Sequence, residues 1–172
     1  MSNNPYIQTL WEQMRLVYGI SLRVYQAIPK EKMDSHPIPG MRTPKELIAH
    51  MTCTLRAVAS GTVKGHIEDY SAMEKEAVAK PYEDFMKWNE ESWKFADAAV
   101  RGMTDAQSAG MVKNPWTTDF PALACIQIIF DEHLHHRGQL FAYLRAFGVE
   151  PPFMWDFENS AKEYQPRQHQ PA

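Results

Sequence analysis

Apolar residues recur at three- and four-residue spacing through four long segments of the chain, and none of these segments alternates like a strand. The first, about Pro5 to Ile28, puts Ile7, Leu10, Met14, Val17, Val24 and Ile28 on one face, and Pro29 ends it. The second opens on Thr43-Pro44-Lys45-Glu46, a capping box with proline at the first helical position. Its stripe is Leu47, Met51, Leu55 and Val58, fading toward Gly61 and Gly65. The third, about Pro81 to Val100, carries Phe85, Trp88, Trp93 and Phe95, which read as core. The fourth, about Pro121 to Phe147, is the most apolar, with Asp119 expected as its N-cap and Gly148 as its stop. The connections, about 30–42, 66–80 and 102–118, are long enough for crossovers between helices. The pattern predicts an all-α domain with four long helices.

Composition narrows the reading. A chain of 172 residues fits one domain, here 1–172, with the Gln-rich tail after about 160 expected to be disordered. A formal charge of -3 without a Lys/Arg cluster removes the electrostatic case for nucleic acid. No apolar run approaches the ~18 residues of a membrane span, and the polar start does not read as a signal peptide, so the expected compartment is the cytoplasm. Cys53 and Cys125 sit in separate helical segments, read as buried filler rather than a disulfide. The chain lacks a nucleophile elbow, a P-loop and a dinucleotide-binding glycine pattern, so no catalytic residue is assigned.

Three of the seven histidines crowd into Asp131-Glu132-His133-Leu134-His135-His136-Arg137-Gly138-Gln139. At about 100° per residue, His133 falls in the middle of the core face and His136 on its border, about 60° away. Glu132 lies on the same flank as His136, one turn before it, while His135 points toward solvent. Glu132 and His136 are therefore an i,i+4 pair able to grip one divalent ion, or to form a simple ion pair. A facing helix must then supply another ligand, and His50, at the edge of the second helix's stripe, is the candidate. His133 is a core residue and the reserve ligand. Three protein ligands leave coordination positions open, as catalytic sites require. Arg137 is expected beyond the core face, Gly138 to admit a neighbouring helix, and Gln139 and Tyr143 to line the pocket.

The run His135-His136-Arg137-Gly138-Gln139-Leu140 resembles the DinB family of YfiT-like metalloenzymes. So do Ile28-Pro29 with Pro37 and Pro39, Leu47-Ile48-Ala49-His50-Met51, Tyr143-Leu144-Arg145, and Gly148 through Pro151-Pro152. The resemblance covers most of the chain. It implies an all-α four-helix bundle with up-down-down-up topology, often a homodimer, and a three-histidine metal site with one ligand from the second helix and two at i,i+4 in the last. His50 and His136 match two of these positions, and the third falls on Glu132. Either Glu132 ligates directly or His133 takes its place; the expected set is His50, Glu132 and His136, binding Zn, Ni, Fe or Mn. The family further implies a metal-dependent enzyme, such as a transferase or isomerase joining a low-molecular-weight bacterial thiol to an electrophile. Its rivals are a non-catalytic metal-binding, stress-associated dimer and a degenerate member with an empty site.

Overall fold

The computed structural model describes residues 3–116 and 118–167, and these are mostly helical. Among the described residues six α-helices follow one another: α1 Pro5–Ala27, α2 Pro44–Lys64, α3 Ser71–Ala79, α4 Tyr82–Arg101, α5 Asp105–Ser108 and α6 Ala122–Ala146. The four long ones fall where the hydrophobic period puts them. The short α3 and α5 lie in segments expected as irregular connections, as does a two-residue antiparallel pair, β1 Met111–Val112 with β2 Phe120–Pro121. No helix among the described residues is long and apolar enough to cross a membrane.

Local signals start and stop these helices. The Asn4 side chain accepts from the amides of Tyr6 and Ile7, satisfying donors at the start of α1. At α2, Thr43 Oγ1 accepts from the Glu46 amide at 3.1 Å, and Glu46 Oε2 from the Thr43 amide at 2.8 Å, so the capping box is present. Gly148, at φ 76°, turns the chain after α6 in the left-handed region, as its expected role requires. The expected cap at Asp119 is corrected: β2 intervenes, Pro121 is the N-cap residue, and the Ala122 amide donates to Gly110 O.

The core lies between α1, α2, α4 and α6. Trp11 and Tyr18 of α1 stack on Trp93 of α4, at ring separations of 5.4 and 4.4 Å. Between α2 and α4, Thr52 Oγ1 donates to Asn89 Oδ1, and Arg56 donates to Ser92 Oγ. The aromatic residues of α4 are not all core. Phe85 and Trp93 are buried and Trp88 half-buried, but Phe95 is 43% exposed beneath the Arg56 guanidinium, 4.2 Å from its ring centre.

Part of the tail expected to be disordered is docked. Tyr164 is buried against Tyr18 and Trp93, and Arg15 donates to the carbonyls of Glu163 and Gln165. Gly19 permits this approach, because a Cβ there would stand 2.4 Å from Tyr164 Cβ. The last five residues, His169 among them, lie outside the described ones.

Candidate metal centre

α2 and α6 bring His50, Glu132 and His136 together. Each offers one ligand atom, and the three atoms lie within 4.8 Å of one another. Glu132 Oε2 is 3.1 Å from His136 Nε2 and 3.5 Å from His50 Nε2. Donors held about 2.0–2.1 Å from one ion at a tetrahedral angle stand about 3.3 Å apart, so both separations suit a shared ion. The two imidazoles meet nearly at right angles, with ring centres 5.0 Å apart. The site is half sheltered: the side chains of His136 and His50 are 11% and 17% exposed, and that of Glu132 41%.

The far side of each ring is held by an acceptor. His50 Nδ1 lies 2.6 Å from Glu74 Oε1, on α3, and His136 Nδ1 lies 3.0 Å from Gln139 Oε1. Carboxylate and amide oxygens accept, so these contacts favour the tautomer with the proton on each Nδ1, which turns both Nε2 lone pairs toward Glu132. Gln139 is itself oriented, since its Nε2 lies 3.2 Å from His135 Nε2. With the rings in that tautomer three electron-pair donors converge, an arrangement that could hold a cation. A protonated His136 is the alternative charge. Burial pushes its pKa down, the Gln139 hydrogen bond and Glu132 pull it up, and His50 and His135 add to the lowering. The net direction is down, against the imidazolium.

His133, the reserve ligand, takes another role. It is 2% exposed, and its Nε2 lies 2.8 Å from Ser21 Oγ, whose own hydrogen goes to Val17 O. Burial, then the charges of Arg137 and His136, push its pKa down to about 3, so it is a neutral core donor turned toward α1. Exposed His135 faces outward, as the helical wheel places it. Cys53 and Cys125 are buried; burial first, then the Glu74 charge, pushes the Cys53 thiol up to about 12.

Three expectations around the site are corrected. Arg137 is not beyond the core face: it lies one turn after His133, follows the same face, and is 5% exposed. Its guanidinium sits 5.7 Å from the Phe141 ring centre, and its Nη1 has no hydrogen-bond partner among the described residues. Gly138 admits no neighbouring helix within the chain, because a Cβ there would meet nothing within 4 Å. Tyr143 is buried and donates its hydroxyl to Arg42 O at 2.8 Å, which removes it from any pocket lining.

Sequence reasoning missed Glu74 altogether. Its only local signal is the Tyr70-to-Glu74 spacing of one helical turn, in a segment too short and weakly amphipathic to be read as a helix.

The family model described as the DinB superfamily matches residues 13–140. No curated protein matches the chain. Among solved structures, a DinB-like protein of Bacillus subtilis superposes with a TM-score of 0.67 at 18% identity, covering 95% of this chain and 99% of the other. A protein of Exiguobacterium sibiricum assigned to the DinB family superposes at 0.63 and 20% identity, covering 90% and 98%. At such identities the likeness speaks for the fold alone.

Proposed function

The chain belongs to the DinB superfamily, and from that premise we propose that it is a single-domain metalloprotein. Its four long helices run up-down-down-up, and it holds one divalent ion on His50, Glu132 and His136. Paired contacts support the topology. His50 with His136 and Thr62 with Cys125 run α2 antiparallel to α6. Thr52 with Asn89 and Arg56 with Ser92 run α2 parallel to α4, with α3 in the crossover. Trp11 with Trp93 and Tyr18 with Asn89 run α1 antiparallel to α4.

The observation that carries the metal reading is the convergence of two imidazole lone pairs and a carboxylate, with both rings locked from behind. This donor set suits Zn, Ni, Fe or Mn. The proposed activity is metal-dependent chemistry on a small molecule, within the class of transferases and isomerases that join a low-molecular-weight thiol to an electrophile. A divalent ion bound here supplies Lewis-acid chemistry, stabilising a thiolate at neutral pH. Glu74 and Gln139 hold the two rings so that little reorganisation accompanies binding, and Glu132, the most exposed ligand, faces the open side.

The chain is also proposed to pair with a second copy. Along the outer face of α6, Leu123, Phe130, Leu134 and Phe141 form a half-buried apolar stripe that includes the open Gly138, the interval where a second helix fits. A degenerate, metal-free member is the second reading, favoured by the 3.1 Å contact of Glu132 with His136, which closes as a hydrogen bond when His136 Nε2 carries the ring proton.

Metal analysis of tag-free protein after reconstitution separates the readings. About one equivalent is expected. His50→Ala, Glu132→Ala and His136→Ala should each lose it, while His135→Ala retains it. Less than a tenth of an equivalent in the wild-type chain favours the degenerate reading. With metal bound, turnover of a thiol with a generic electrophile separates an enzyme from a non-catalytic metal-binding dimer.

A further inference from the structure

The segment leaving α2 and the loop before α6 are tied into one assembly. The Ile67 amide donates to Lys113 O at 2.7 Å, and the Lys113 amide donates to Gly65 O at 3.0 Å. The β1–β2 pairing anchors the segment that carries Trp116, whose amide donates to Asn114 Oδ1. The assembly brings two aromatic rings together: Tyr70 and Trp116 meet edge to face, 5.6 Å apart.

Tyr70 stands beside the metal ligands for a structural reason. Its hydroxyl is hydrogen-bonded to Thr54 Oγ1 at 3.0 Å, while Glu74, one turn further along, reaches His50. Thr54 is one turn after His50 on α2, so the two contacts form matched rungs between α2 and α3, about 6 Å apart. Because α2 and α6 run antiparallel, Thr54 lies toward Glu132, the open side of the metal group. The wall therefore continues from the ligands along the open side and ends on an indole that is 50% exposed. Neither ring is needed to hold the ion. An aromatic lining with a few placed polar groups is how small-molecule sites orient a ligand.

Resting on the metal reading above, we propose that Tyr70 and Trp116 form the recognition wall for the small molecule that completes the metal's coordination, and that this molecule carries a flat aromatic or conjugated group next to its donor atoms. The wall selects by shape: a planar group lies against the indole face, and a saturated ring of similar size does not.

Hydroxamates test this, because they present one chelating head on different bodies. Cobalt is loaded first and its content measured. Benzohydroxamate, cyclohexanecarbohydroxamate and acetohydroxamate are then titrated against the visible spectrum of the cobalt. The expected result is about tenfold tighter binding of benzohydroxamate than of the other two. In Trp116→Ala the preference should fall to within about twofold, with cobalt content and acetohydroxamate affinity unchanged. Tyr70→Phe, which keeps the ring, should retain it. Equal affinities in the wild-type chain, a cyclohexyl body bound as tightly as the phenyl, or a preference that survives Trp116→Ala overturns the proposal. Failure of the wild-type chain to take up cobalt overturns the metal reading and this proposal with it, before any hydroxamate is added.

Discussion

Glu74 Oε1 lies 2.6 Å from His50 Nδ1, the shortest contact on either proposed histidine ligand. Glu74 belongs to α3, the helix in the crossover between α2 and α4, so the crossover orients a ring that α2 supplies. A carboxylate behind an imidazole fixes the tautomer and raises the basicity of the outward nitrogen. Glu74→Ala should therefore lower metal affinity by about 10–100-fold without removing any ligand, whereas Glu74→Gln, which keeps an acceptor, should lower it less. Competition with a chromophoric chelator measures both.

His133 gives the fold a pH dependence. Its folded pKa, about 3, lies below the ordinary 6.5, so the unfolded chain takes up the proton first. The contribution to stability is complete above about pH 6.5 and is lost as the pH falls from there toward 3. The slope reaches at most about 1.4 kcal/mol per pH unit. Urea unfolding at several pH values, with a chelator present, should show this slope. His133→Gln, which keeps a donor for Ser21, should flatten it.

The apolar stripe of α6 predicts opposite effects at Gly138. A glycine inside a helix costs about 1 kcal/mol relative to alanine, and a Cβ here meets nothing in its own chain. Gly138→Ala should stabilise the dilute, monomeric chain by about that amount while weakening self-association. Chemical unfolding and sedimentation equilibrium measure the two.

At Gly19 the expected effect has one sign. A Cβ there stands 2.4 Å from Tyr164 Cβ and 3.1 Å from Ser160. Gly19→Ala should lift the tail from α1 at a cost of about 1–3 kcal/mol. The exposure of Trp93 that follows should red-shift the tryptophan emission.

What could be read from the sequence was local. The Thr43–Glu46 box and the Gly148 stop involve residues three or four apart, and the wheel of α6 separates His133, His135 and His136 by angle alone. The pairing of Glu132 with His136 follows from the same geometry. What escaped depends on contacts distant in sequence. Glu74 matters because α3 folds back onto α2, and Tyr70 meets Trp116 because Lys113 pairs with the Gly65–Ile67 backbone. Asp119 has the composition of a cap, but β-pairing takes up the residues between it and α6. Arg137 was misplaced for a different reason: a charged side chain suggests solvent, while its position one turn after His133 carries it inward.

The identity of the third ligand is the centre of the account, and X-ray absorption on the zinc-loaded, tag-free chain addresses it directly. The expected first shell contains only nitrogen and oxygen at about 2.0–2.2 Å, with the multiple-scattering signature of two imidazoles. A third imidazole would bring His133 or another histidine into the site, a sulfur at about 2.3 Å would bring Cys53, and either result would contradict a centre built on His50, Glu132 and His136.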